Sequence, residues 1–242
     1  MGNDTMVFIG NEAIAMYTEI TPAALNDALR ALLEREDSVS LHGYTPAPGL
    51  PELRRALAAA LRERLGVPAW AEGVYVCCGA SAGLAASFRA LAREGEEVVA
   101  LAPPSPELRA LVEGAGARLR SVPRGAESES AFGGNTALVL LEGELRAEEA
   151  ERLAAVLSAA QRRLGRPLYL LTTAPSALRV YDNAVLLHDF SAFPGERLGY
   201  LAVSARMAER EAVFAALAGA ARACGYVNPP SLMQRAVLSL IR

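Results

Sequence analysis

Lysine is absent from this 242-residue chain, so all 24 residues counted together as lysine and arginine are arginine. Only the ε-amine of lysine forms an imine with a carbonyl compound, since the arginine guanidinium stays protonated in proteins. The composition therefore excludes chemistry that depends on a lysine Schiff base or on a lysine general base.

An excess of positive charge is missing as well. The formal net charge is -3 and the pI is about 5.6. No basic patch interleaved with aromatic residues occurs along the chain, although such patches are typical of nucleic-acid binding. The charge pattern therefore argues against nucleic acid as the main partner.

Cysteine and histidine, the usual metal ligands, are scarce, with three and two residues respectively. Cys77 and Cys78 are adjacent, Cys224 is distant, and no CxxC motif occurs. This pattern is typical of reduced, buried thiols in a cytosolic protein. His42 and His188 lie far apart, and no Cys/His spacing suits a metal, so we predict no metal site.

Long apolar runs and a basic leader segment are also missing from the sequence. No stretch approaches the ~20 apolar residues that span a bilayer, and the first residues lack the features of a signal peptide. We therefore expect a cytoplasmic protein with no membrane contact.

The chain is rich in apolar residues, which make up 52% of it, and they recur in a regular order. After residue 73, short apolar runs typical of buried strands alternate with segments of amphipathic helical spacing. This alternation predicts an α/β fold, a three-layer α/β/α sandwich with a mostly parallel sheet. No linker divides the chain, so we expect residues 1–242 to form one domain, with an N-terminal segment and helix, residues 1–40, packed on it.

The predicted elements follow from this spacing and from helix-capping residues. The predicted strands are 74–77, 97–101, 119–122, 136–141, 168–172, 184–187 and 198–203. The first predicted helix begins at Thr21-Pro22, and later ones cover 51–65, 79–93, 106–113, 147–164, 205–218 and 231–241. Residues 124–135 are predicted to form a polar loop.

Two segments at the expected carboxyl ends of strands are candidates for binding phosphate. Gly79-Ala80-Ser81 opens a helix directly after a strand, and free backbone N–H groups at a helix start bind anions. Ser191 and Arg197 lie on one loop between two strands, and arginine can hold a phosphate with two parallel hydrogen bonds. The Gly79 turn also fits an ordinary helix cap.

His188 is the candidate for acid–base chemistry, because it lies at a strand end just before Ser191. The alternative interpretation is structural, with the imidazole paired to Asp189 or to the backbone.

Four segments, in chain order, resemble the class I/II aminotransferases, which are pyridoxal-phosphate (PLP) enzymes of fold type I. They are Tyr44-Thr45-Pro46-Ala47-Pro48-Gly49-Leu50-Pro51-Glu52-Leu53-Arg54, Gly79-Ala80-Ser81, Pro194-Gly195-Glu196-Arg197-Leu198-Gly199-Tyr200 and Asn228-Pro229-Pro230-Ser231-Leu232-Met233-Gln234. The resemblance implies the large domain of such enzymes and a dimer. It also implies phosphate contacts from Tyr44 of a partner subunit, Gly79, Ala80, Ser81, Ser191 and Arg197.

The chain departs from the family's pattern where the family contacts the cofactor ring. Ala192 stands in place of the lysine of "SFSK", and the carboxylate of "DEPY" is missing from Thr173-Ala174-Pro175-Ser176. Glu142-Gly143-Glu144-Leu145 replaces the "NPNNPTG" loop, and the stacking aromatic would fall near Pro104 or Ser105. The resemblance also leaves the family's small C-terminal domain unmatched, so we expect that domain to be absent.

Three interpretations of function remain open. The first is an aminotransferase-like protein that is inactive as a transaminase, requires no cofactor and acts as a homodimer or as a heteromer with an active homologue. The second is a non-covalent binder or sensor of PLP or of another phosphorylated small molecule. The third is an enzyme with altered acid–base chemistry on the same fold, using His188 or a serine.

Overall fold

The computed structural model describes residues 20–241, in which seven strands form a single sheet. The strands are β1 (Val74–Cys77), β2 (Glu97–Ala100), β3 (Arg118–Ser121), β4 (Thr136–Leu141), β5 (Tyr169–Thr172), β6 (Ala184–Asp189) and β7 (Gly199–Val203). The helices are α1 (Pro22–Arg35), α2 (Ser38–His42), α3 (Pro51–Leu65), α4 (Gly79–Leu91), α5 (Pro106–Gly114), α6 (Ala147–Leu164), α7 (Pro175–Val180), α8 (Arg210–Ala223) and α9 (Ser231–Ile241).

The order of strands across the sheet is β1-β7-β6-β5-β4-β2-β3. Strands β2 to β6 pair in parallel, whereas β7 is antiparallel to both β1 and β6. The predicted mostly parallel sheet is confirmed. Because β7 runs in the opposite direction, its first residue, Gly199, lies beside Asp189, the last residue of β6.

Helices cover both faces of the sheet, which confirms the three-layer sandwich. One core joins the apolar sides of α1, α3, α6, α7 and α9 to one face, and a second core joins α4, α5 and α8 to the other. Successive strand side chains point to opposite faces. In β1, Val74 and Val76 enter the first core, while Tyr75 and Cys77 enter the second.

The helix ends follow local sequence signals. The Thr21 side chain accepts a hydrogen bond from the Ala24 N–H at 3.2 Å and so caps α1. Gly66 ends α3 with a φ of 62°, a left-handed conformation that glycine adopts without steric cost. The predicted end of this helix at residue 65 is therefore confirmed.

The largest differences from the predictions concern three helices. Helix α8 begins at Arg210 and not at residue 205, because the Ala205 N–H donates to Pro68 O at 2.7 Å and the following residues turn. Helices α2 and α7, of five and six residues, were not predicted. Segments this short carry too few apolar repeats to show a helical period.

The N-terminal part of the described chain is attached to its C-terminal helix. Helix α1 contacts α9, and Arg235 donates to the Glu36 carboxylate and to Ser40 O, both at 3.1 Å. Residues 1–19 of the predicted N-terminal segment lie outside the described residues. Within residues 20–241, no helix combines the length and the apolar character needed to cross a bilayer.

Candidate functional site

The loops that follow the parallel strands meet at one edge of the sheet, as predicted. Ser81 Oγ donates to Glu107 Oε1 at 2.9 Å, which joins the start of α4 to the start of α5. The Gly143 N–H donates to Thr173 Oγ1 at 2.8 Å, which joins the segments after β4 and β5. These contacts join the loops along this edge in two pairs.

Gly79 begins α4 in a conformation that other residues rarely adopt, with a φ of 79°. A Cβ atom at this position would lie 3.2 Å from Cζ of Arg197. The backbone angle therefore favours glycine here, and the guanidinium of Arg197 lies close to it. The structure thus brings together Gly79 and Arg197, two of the predicted phosphate ligands.

Arg197 is exposed and has a positive φ of 51°, the one such non-glycine residue between Ile20 and Ile241. It follows a single 3₁₀ turn, Pro194–Glu196, and directly precedes β7 through Leu198. The left-handed conformation costs a residue with a Cβ roughly 1 kcal/mol. A residue keeps such a conformation where the surrounding structure fixes it. In this conformation the guanidinium of Arg197 lies beside Gly79.

Asp189 is a site residue that was not predicted from the sequence. Its Oδ1 accepts a hydrogen bond from the Ala80 N–H at 3.1 Å, so the carboxylate lies against the start of α4. Burial raises the pKa of Asp189, while the Ala80 N–H and the charge of Arg197 act in the opposite direction. The sequence signal that could have indicated Asp189 is an ionisable residue at the end of a buried apolar strand.

Two more carboxylates lie near this edge. Burial raises the pKa of Glu142, and the negative charge of Glu107 raises it further. Together with Asp189, they give the edge a negative character that Arg197 offsets only in part.

The remaining predicted loop residues are exposed or engaged elsewhere. Ser191 and Ala192 are exposed on the loop between β6 and β7, and the Ser191 N–H donates to Asp189 O at 3.0 Å. Ser81 directs its hydroxyl to Glu107. The position assigned to a lysine by the resemblance therefore carries an exposed methyl group.

Tyr44 lies at the surface of the single chain, with 95% of its area exposed. The next residue, Thr45, is buried and accepts a hydrogen bond from Gln234 Nε2 at 3.1 Å. Gln234 Oε1 in turn accepts from the Leu50 N–H at 2.8 Å. The segments around Tyr44 and around Gln234, which both resemble aminotransferase motifs, are thus directly joined.

The segment in place of the family's ring-binding carboxylate is uncharged and buried. Thr172, Thr173 and Ser176 are each at most 2% exposed. Thr172 Oγ1 accepts from the Ala174 N–H at 2.9 Å, and Ser176 Oγ donates to Leu145 O at 3.0 Å. These hydroxyl groups stabilise the turn before α7 and present no carboxylate to a ligand.

His188 is buried, with 4% of its area exposed, and burial lowers its pKa to about 3. Its ring centroid lies 5.1 Å from that of Phe190 and 5.0 Å from that of Tyr200. The imidazole is therefore neutral near pH 7 and surrounded by aromatic rings. An acid–base role for His188 stays a prediction, and its burial favours the structural interpretation.

The three cysteines are free thiols, but only one of them is buried, contrary to expectation. Cys77 is buried below the start of α4, and burial raises its pKa. Cys78 and Cys224 are half-buried. The sequence pattern could not distinguish these environments, because Cys78 lies after the last residue of β1 and loses the cover of the sheet.

Comparisons of the sequence and of the structure with known proteins all match aminotransferases. The model of the family described as aminotransferase class I and II matches residues 16–137, just over half of the chain. The crystal structure of an aminotransferase from Eubacterium rectale superposes with a TM-score of 0.84 at 31% identity, over 98% of this chain and 66% of that one. Valine–pyruvate aminotransferase from Mycobacterium tuberculosis is 31% identical over 86 residues, which cover 36% of this chain and 22% of that protein.

A more distant structure shares the fold. Aspartate aminotransferase from Thermus thermophilus, solved with maleate, superposes with a TM-score of 0.72 at 22% identity, over 91% of this chain and 62% of that one. This chain therefore spans less than two thirds of the length of each of these three relatives.

These matches correct one expectation. The expectation that no cofactor is required is wrong, because aminotransferases of the matched family depend on PLP. Arg197 and the start of α4 carry the positive charge and the backbone N–H groups that a phosphate group would use, and the guanidinium lies beside Gly79. The residues do not fit covalent attachment of PLP, since lysine is absent from the chain. They also do not fit an ionic contact with the PLP ring nitrogen, since the Thr173 segment is uncharged.

Proposed function

Because this chain belongs to the class I and II aminotransferases, we propose that it is a member that does not transaminate by itself and acts as a partner in an assembly. The absence of lysine carries this proposal. An aminotransferase needs an amine that attaches the cofactor covalently and moves a proton at the reacting carbon. No side chain here supplies one, since every arginine keeps its proton at physiological pH.

Exposed apolar side chains support the assembly role. Val39 is 80% exposed, Leu33 is 57% exposed and Tyr44 is 95% exposed, and the three lie within twelve residues of one another in sequence. A contiguous surface of large apolar side chains marks a site of protein association, and we propose that these three residues form one. The hydrogen bonds that Gln234 makes with Leu50 and Thr45 hold the adjoining loop in a fixed shape, so the surface is preorganised for a partner. We propose a homodimer or a heteromer with an active homologue.

The association is tested by light scattering after gel filtration of the native protein. We expect a dimer or a complex with a second aminotransferase chain. Val39→Asp is expected to weaken the association at least tenfold, because the charge would be desolvated in the interface. Val180→Asp is the matched control, since Val180 is 38% exposed on α7, outside this group. A monomer at tens of micromolar, roughly the working range for weak interfaces, would contradict the proposal.

A second function, non-covalent binding of PLP through its phosphate, is favoured by the position of Arg197 beside Gly79. When bound, PLP supplies an electron-withdrawing ring that stabilises negative charge on the substrate. The residues of this chain contribute the phosphate contacts only: the N–H groups at the start of α4, the guanidinium of Arg197, and the hydroxyl groups of Ser81 and Ser191.

We expect Arg197→Ala to weaken the binding of PLP about tenfold or more, because a charge-assisted hydrogen bond to phosphate is lost. Isothermal calorimetry measures the affinity. Arg30→Ala removes the same charge from α1 and should leave the affinity unchanged, since Arg30 is exposed on a helix that covers one face of the sheet. Equal affinities for the wild type and Arg197→Ala would remove the support for this second function.

A further inference from the structure

The carboxylate of Asp189 lies beside the Ala80 N–H, which is a backbone donor of the proposed phosphate site. Asp189 is the last residue of β6 and pairs with Gly199 of β7 in the antiparallel ladder. A Cβ on Gly199 would lie 3.3 Å from Asp189 Oδ1 and 2.6 Å from His188 O. The absence of a side chain at Gly199 therefore allows the carboxylate to occupy this position, and the ladder fixes it there.

The surroundings of this carboxylate are those of a bound anion. Its Oδ1 accepts the Ala80 N–H in the first turn of α4, where the helix dipole favours negative charge. Burial raises the pKa of Asp189, and the positive charge of Arg197 acts in the opposite direction by stabilising the ionised form. These are the donor and the cation that a phosphate group would use at the same place.

We infer that Asp189 is an internal anion that occupies the phosphate position at the start of α4 and competes there with phosphate-bearing ligands. The inference rests on the proposed phosphate site. A phosphate can accept a hydrogen bond from the Ala80 N–H only if the Asp189 carboxylate no longer accepts it. A phosphate bound next to the Asp189 carboxylate would also be repelled by its negative charge. Asp189 thus sets the affinity of the site and holds the start of α4 in shape when no ligand is bound.

The other charged and titratable groups around Asp189 do not replace it as the competing anion. Cys77 and Cys78 lie at the end of β1, and burial raises the pKa of both thiols, so they are neutral near pH 7. Glu107 is hydrogen-bonded to Ser81, and Glu142 lies near Glu107. Their charges add to the repulsion without contacting the Ala80 N–H.

The test measures binding of inorganic phosphate by calorimetry to the full chain and its variants. Asp189→Ser removes both the charge and the occupying group, and we expect about tenfold tighter binding than in the wild type. Asp189→Asn keeps the shape and removes only the charge, so its affinity should lie between the two. Glu196→Gln is the matched control, since Glu196 is an exposed carboxylate in the same loop. Its affinity should stay within about twofold of the wild type.

The outcomes separate the inference from the proposed site. If Arg197→Ala weakens phosphate binding but both Asp189 variants bind like Glu196→Gln, the site stands and competition by Asp189 is wrong. If no variant binds phosphate, including Asp189→Ser, the proposed site fails and the inference fails with it. The amide resonance of Ala80 gives a second readout. Phosphate should shift it in Asp189→Ser at lower concentration than in the wild type, and equal shifts would overturn the inference.

Discussion

Ala192→Lys is expected to retain PLP after borohydride treatment and denaturation, whereas the wild-type chain is expected to release all of it. Lysine is absent from the chain, so the variant would carry its only ε-amine. Position 192 is exposed on the loop between β6 and β7, close in sequence to Ser191 and Arg197. An amine placed there would be within the loop that carries two of the proposed phosphate contacts, and only an amine forms a reducible bond with an aldehyde.

Mass spectrometry of the intact protein measures this result. Ala208→Lys is the control, because Ala208 is exposed in the turn after β7, at the opposite edge of the sheet. Covalent retention by Ala192→Lys and not by Ala208→Lys would show that PLP is held near residue 192. Retention by the wild type would contradict the proposal that the chain holds PLP without a covalent bond, and peptide mapping would then test the α-amine of Met1.

The stability of the fold is expected to fall as the pH drops below about 6.5, partly because His188 is buried. In the unfolded chain a histidine binds a proton below its usual pKa, near 6.5. In the folded chain burial lowers the pKa of His188 to about 3, so the imidazole stays neutral. Between these values the unfolded state binds more protons, so stability is complete above pH 6.5 and is lost as the pH falls towards 3. The expected loss is about 1.4 kcal/mol per pH unit.

Urea unfolding at pH 7.5 and pH 5.0 measures this effect. His188→Phe removes the titrating group and keeps an aromatic ring between Phe190 and Tyr200. The wild type should lose about 2 kcal/mol more than this variant between the two pH values. His42→Phe, at an exposed position, is the control and should behave like the wild type. The same pH dependence in the wild type and in His188→Phe would show that His188 is not held neutral by the fold.

Most of the fold could be predicted from the sequence, because strong local signals coincide with the hydrophobic period. The predicted bounds of α3, β1, β4, α6 and α9 match the structure. Helix α3 is an example, since Pro51 begins it and Gly66 ends it. The start of α8 could not be predicted, because it depends on a hydrogen bond between Ala205 and Pro68, which are distant in sequence.

The site was predictable only in part for the same reason. Parallel strands bring their carboxyl ends to one edge, so the sequence could predict that Gly79 and the loop with Arg197 lie at the same edge. The role of Asp189 depends instead on the register of β6 against β7, which places Gly199 beside it. No sequence spacing encodes that register. The orientation of a side chain at a strand end therefore had to be read from the structure.

The link between Thr45 and Gln234 has a consequence for the order of folding. This hydrogen bond joins residues 189 positions apart, and it fixes the loop next to Tyr44. Contacts between distant residues form late, since a long loop must close before they can stabilise anything. On the ribosome, α3 and the first strands emerge long before Gln234 does. The surface around Tyr44 therefore reaches its final shape only when nearly all of this sequence has been synthesised, which delays association until the sheet is complete.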